Sequence, residues 1–124
     1  MLIPLHSAVA EQIRIRSERV LTSQGLMAAT VDIRAGRIAS IDQDKSADLY
    51  LDDALLMSGL VDCHVHINEP GRTEWEGFVT ATKAAAKGGV SMLADMPLNS
   101  MPVTTCRGAL AEKISAAQGK LWVD

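Results

Sequence analysis

Within Gly59-Leu60-Val61-Asp62-Cys63-His64-Val65-His66, one acid and two imidazoles stand at every second position of an apolar run. Successive side chains of a β-strand point to opposite faces, so Asp62, His64 and His66 share one face and Val61, Cys63 and Val65 the other. Two neutral imidazoles side by side at a strand end can hold a divalent metal such as zinc. Asp62, deeper on that face, can orient a ligand from behind. By itself, His-X-His more often marks two ordinary histidines than a metal site. Its setting tips the reading toward a metal. The pair ends an apolar strand whose polar face is costly unless used. Strands alternate with helices from there on, and in α/β barrels active sites form at the C-terminal ends of the strands.

The elements that must position the pair follow from periodicity. Residues 59–67 predict a buried strand, followed by a loop over 68–72 carrying Pro70-Gly71. Thr73 and Glu76 fit a capping box. The helix after them is expected to bury Trp75, Phe78, Val79, Thr82 and Ala86, and Gly88-Gly89 ends it. Residues 90–95 read as a second buried strand, 96–102 as a loop and 105–118 as a second helix stopped by Gly119. Residues 120–124 open a third strand. This alternation implies parallel pairing. Upstream, short alternating runs over 12–16, 19–21, 30–34, 37–41 and 49–51 predict a small β-rich segment, with Ala35-Gly36 as a turn. The boundary is drawn between residues 1–57 and 58–124. A (β/α)8 barrel takes about 250 residues, so two βα units and the start of a third are expected to belong to a longer protein.

Composition narrows the function classes. The 124 residues are 48% hydrophobic, enough for a small core, with a net charge of -3 and only 3% aromatics. A weakly acidic, aromatic-poor chain is a poor partner for nucleic acid or an anionic membrane, and no run approaches 18 apolar residues. Cys63 and Cys106 form no CxxC pair, which makes a reducing, intracellular compartment the default. Arg14, Arg16 and Arg19 near the N-terminus suit either an organellar targeting peptide or a half-exposed strand in which Ile13 and Ile15 alternate with arginines; the strand is the stronger reading. The cytoplasm is the default location, with mitochondrion and peroxisome left open. His6 stands alone and suggests no chemistry.

Longer motifs add a resemblance. The strand ending in Asp62, His64 and His66 is similar to the signature that opens the barrel in the amidohydrolase superfamily. Asp32-Ile33-Arg34-Ala35-Gly36-Arg37-Ile38 resembles the small cap of its cyclic-amidohydrolase branch. His64-Val65-His66-Ile67-Asn68-Glu69-Pro70-Gly71-Arg72, Trp75-Glu76-Gly77-Phe78, Ala85-Ala86-Lys87-Gly88-Gly89-Val90 and Met96-Pro97-Leu98-Asn99 together resemble the allantoinases. The resemblance covers nearly the whole chain after about Ile13. It implies an α/β fold: a small β-sandwich segment followed by the first βα units of an incomplete (β/α)8 TIM barrel. It implies opening of the hydantoin ring of allantoin to allantoate in purine catabolism, two zinc ions, and a homotetramer. By position, His64 and His66 are the ligands of the more buried metal.

The family's remaining groups are a carboxylated lysine, two further histidines and an aspartate, all from later strands. None of Lys45, Lys83, Lys87, Lys113 or Lys120 stands in a matching context, so the catalytic residues are expected beyond Asp124. The chain alone is expected to bind zinc weakly and to be inactive. Dihydroorotase, the nearest competitor, reads its substrate carboxylate with an arginine two residues after the second histidine. Here that position is Asn68, which suits a substrate without a carboxylate. Asn99 either meets the substrate or forms an Asx turn beside proline. Glu69 and Arg72 face either solvent or substrate, and Cys63 packs. The Trp75-Glu76-Gly77-Phe78 stretch speaks against dihydropyrimidinase. Ser58 departs from the family's proline there, a change in loop stiffness only. A truncated, non-catalytic family member is the alternative of a different class.

Overall fold

The computed structural model describes residues 11–124. His6 and the first part of the stretch weighed as a targeting peptide lie outside the described residues. Among the described residues the chain divides after Ser58 into two compact units.

The first unit is a five-stranded sheet. Strands β1 (Gln12–Thr22), β2 (Gly25–Arg34) and β3 (Arg37–Asp42) form an antiparallel meander. The free edge of β1 takes two short parallel strands in succession, β4 (Leu49–Tyr50) and then β5 (Leu55–Leu56). The two runs read separately at 12–16 and 19–21 are thus one strand. A register shift between Ser17 and Val20 interrupts their alternation. Ser17 explains the break: its buried hydroxyl donates to the Ala54 carbonyl at 2.6 Å and accepts the Arg19 N–H at 2.9 Å. Ala35 and Gly36 turn β2 into β3 with φ of 48° and 73°, the positive pair that a tight two-residue hairpin requires.

Alternate residues of β2 form the apolar core, Ala29 and Val31 with Val20, flanked by Met27, Ile33 and Leu56. The intervening Thr30 and Asp32 are also buried. Their polar atoms are matched: Thr30 donates to the Asp44 carbonyl, and Asp32 accepts from Arg34 at 2.8 Å and from Gln12 at 3.1 Å. The Arg34 hydrogen bond, aided by Gln12, outweighs desolvation and holds the Asp32 carboxyl below its ordinary range.

The second unit, Gly59–Asp124, is built from β6 (Leu60–Val65), α1 (Phe78–Lys87), β7 (Val90–Asp95) and α2 (Arg107–Ala117). Strands β6 and β7 pair in parallel, Leu60 with Val90 and Val65 with Asp95. Residues 120–124 form no regular strand, but Asp124 exchanges two backbone hydrogen bonds with Ser91 and Leu93 of β7, the start of parallel pairing. Gly59 allows β6 to approach β7, because a Cβ there would lie 2.2 Å from Ser91 Oγ.

The core of this unit is Ile67, Phe78 and Ala117, with Val65, Leu93 and Leu121 packed against them. Val65 and Ile67 therefore lie against the helices as their alternation requires. Val61 and Cys63, expected beside them, are exposed.

Helix α1 begins later than its capping signal suggests. Thr73 caps nothing; Gly77 is the N-cap, and the free N–H of Phe78 is taken by Glu69 Oε2 at 3.0 Å. A carboxylate from the preceding loop replaces the local threonine because Gly77 leaves no room for a side chain, a Cβ there lying 2.9 Å from Thr73 Cγ2. Trp75 and Val79 are exposed, so the buried stripe narrows to Phe78 and Thr82.

Candidate active site

His64 is the fifth residue of β6, and His66 lies one past the strand's end. The two ring centroids are 5.2 Å apart with planes inclined at 61°. His64 is exposed and His66 half-buried. The register of β6 on β7 shifts between Asp62 and Val65, which interrupts the alternation that would align Asp62 with the pair, and its carboxylate turns back to accept the His64 backbone N–H at 3.0 Å. It thus steadies the strand between them and does not orient an imidazole.

Among the described residues, His66 Nδ1 is buried without a hydrogen-bond partner. A ring nitrogen withdrawn from water needs a partner, and a divalent cation is one that imidazole serves well. The donor set thus fits a metal, with two nitrogen donors two residues apart at one strand end. Among the described residues no third His, Cys, Asp or Glu joins them in a cluster.

Two loops follow the strand ends and are tied together. Met101 donates its N–H to the Pro70 carbonyl at 2.8 Å, and Arg72 reaches the Asn99 carbonyl at 3.5 Å while lying over the Trp75 ring at 5.0 Å. Gly71, at φ 86°, fits because a Cβ would stand 2.6 Å from the Met101 carbonyl.

Asn68 sits in the first of these loops. Its backbone is held by Glu76 and Arg72, while its side chain is buried with Oδ1 unpartnered among the described residues. That oxygen can accept a hydrogen bond from a bound molecule. Asn99 is half-buried, and among the described residues its side chain makes no hydrogen bond, so the Asx turn weighed as its alternative role is not formed.

Glu69 is buried and faces neither solvent nor an open site. Burial alone would raise its carboxyl, but the ion pair with Lys120 and the Phe78 N–H together bring it below the ordinary value. Arg72 is a loop fastener, not a free charge.

Sequence reasoning missed Asp95 and Lys113. Asp95 ends β7 and accepts the Ile67 N–H at 2.9 Å, while Lys113 donates to the Ile67 carbonyl at 2.8 Å. Their signal was present: Ala109, Lys113 and Ala117 recur every four residues, so the lysine stands in the buried stripe of α2. Among the described residues, no helix is long and apolar enough to cross a membrane.

The chain is similar to an allantoinase of Streptomyces avermitilis, 48% identical over 116 residues, covering 89% of this chain and 26% of that protein. A mitochondrial allantoinase of Aquarana catesbeiana is 43% identical over 116 residues, covering 89% and 24%. Among solved structures, the L-hydantoinase (dihydropyrimidinase) of Arthrobacter aurescens matches with a TM-score of 0.73 and 29% identity, covering 90% of this chain and 26% of that one. The fold is thus mixed α/β, similar to the N-terminal part of a hydantoinase. The chain spans about a quarter of the length of these relatives. The model of the dihydro-orotase-like family matches residues 53–114, half of the chain, taking in the histidine pair, both loops and Lys113. The chain therefore belongs to the dihydro-orotase-like family.

Proposed function

We propose that this chain forms the first part of an allantoinase, a hydrolase that opens the hydantoin ring of allantoin to give allantoate. The observation that carries the proposal is 48% identity to a named allantoinase over 89% of the chain. In this reading residues 58–124 begin a (β/α)8 barrel and residues 1–57 belong to a β-sandwich cap. His64 and His66 donate ring nitrogens to one of two zinc ions. Zinc, when bound, lowers the pKa of water and polarises a carbonyl.

The chain's own residues serve binding and placement. The imidazoles fix where the cation sits relative to the strand end. Asn68 Oδ1, already desolvated, accepts from a ring N–H of the substrate, and Asn99 closes the second loop over it. The tied loops restrict water around the ring. Each group is neutral, which suits a neutral ureide better than a carboxylate substrate such as dihydroorotate. The protein assembles as a homotetramer in the cytoplasm or, like its Aquarana catesbeiana relative, in mitochondria.

Allantoin turnover tests this in zinc-loaded protein made from the full reading frame. Loss of turnover in both His64→Ala and His66→Ala is expected. Turnover that survives either substitution would remove that histidine from the metal site.

A further inference from the structure

Strand β6 ends at Val65, so His66 stands beyond the residues the ladder holds. Its ring is not steered by a hydrogen bond at Nδ1, which has no partner among the described residues. What fixes its direction is the main chain on either side. The Val65 carbonyl accepts the Met96 N–H at 2.7 Å. Ile67 is held at both polar ends, its N–H by Asp95 Oδ1 at 2.9 Å and its carbonyl by Lys113 Nζ at 2.8 Å. Lys113 and Asp95 pair with each other, Nζ to Oδ2, at 2.6 Å. The Ile67 side chain is buried in the core.

Stability alone does not call for this arrangement. Lys113 is only 7% exposed, in a stripe otherwise made of alanine, with its ammonium 5.9 Å from the Phe78 ring. Desolvating such a pair commonly costs as much as the attraction returns, and an apolar residue of similar length often serves stability as well or better. What the pair adds is direction. Two charged groups from different elements clamp the two peptide groups that flank the Ile67 Cα, the first of them the one after His66.

We infer that Asp95 and Lys113 are positioning residues, a buried brace that sets the angle at which His66 presents its imidazole to a divalent cation. This rests on the metal reading above. A ligand must be held within about 0.5 Å of its working place, and loss of a group that holds a ligand typically costs about 10–100-fold in metal affinity.

The test uses protein from the full reading frame, with cobalt(II) as the probe, titrated by calorimetry and visible absorption. Asp95→Asn/Lys113→Met removes both charges with little change of volume. Cobalt affinity is expected to fall about tenfold or more, while the Tm stays near that of the parent. Ala117→Gly, in the same stripe of α2, is expected to lower the Tm and leave the affinity alone. Should the double variant fail to fold, Lys113→Gln, too short to span both groups, is expected to show the same loss. Affinity within twofold of the parent in either folded variant, or a loss in Ala117→Gly matching theirs, would overturn the brace while leaving the metal reading intact. A parent that binds no cobalt, or binds it equally after His64→Ala, would overturn the metal reading and the brace with it.

Discussion

His64 and Asn68 lie four residues apart and are held differently. His64 stays exposed on a strand steadied by Asp62, while Asn68 is pulled into the interior with its side-chain oxygen unpartnered among the described residues. An unpaired buried acceptor costs about 1–3 kcal/mol, which a bound donor can return. Arginine at this position brings a charge and a longer side chain into that space. Asn68→Arg is expected to depress allantoin kcat/KM at least tenfold, without conferring turnover of dihydroorotate. Steady-state kinetics on both substrates checks this, and unchanged allantoin kinetics would take Asn68 out of the site.

At the level of elements, the approach of β6 to β7 and the start of α1 each depend on one residue. Gly59→Ala drives a methyl group into Ser91 Oγ and is expected to cost about 1–3 kcal/mol in urea unfolding. Ser91→Gly in the same chain is expected to recover most of it; equal stability of Gly59→Ala and parent would mean that the strands separate freely there. Glu69 caps α1 while paired with Lys120. Its carboxyl is lowered in the folded protein, so its contribution is full at neutral pH and fades as the pH falls through the carboxylate range, below about pH 4.5. Glu69→Gln is expected to cost about 1 kcal/mol at pH 7, with the gap from the parent narrowing toward pH 3. A gap constant with pH would assign the effect to shape and not to charge.

These elements also mark what the sequence made legible. The bounds of strand β7 are legible to the residue because Val90–Asp95 is a short apolar run bounded by Gly89 and Pro97, though Ser91, Met92 and Ala94 are exposed where a buried strand is expected. Alternation brings His64 and His66 together, with rings 5.2 Å apart, but it does not show the register shift between Asp62 and Val65. The start of α1 was not legible, because its cap is a carboxylate nine residues upstream, and spacing rules see only local partners. Strand β5 was missed because two residues carry no period. Lys113 invites comparison with the family's carboxylated lysine, while its burial is set by a helix stripe meeting a strand end far along the chain.

On the scale of the molecule, the second unit brings two imidazoles and two interlocked loops to one end of a parallel strand pair. In the proposed reading these groups serve cyclic-amide hydrolysis, and the neutral amides Asn68 and Asn99 suit a substrate without a carboxylate. The most direct test presents allantoin, dihydroorotate and dihydrouracil side by side to zinc-loaded protein from the full reading frame. Hydrolysis of allantoin, with kcat/KM at least 100-fold above the other two, is the expected result. Preference for dihydroorotate or dihydrouracil, or hydrolysis of none of the three, would contradict the account.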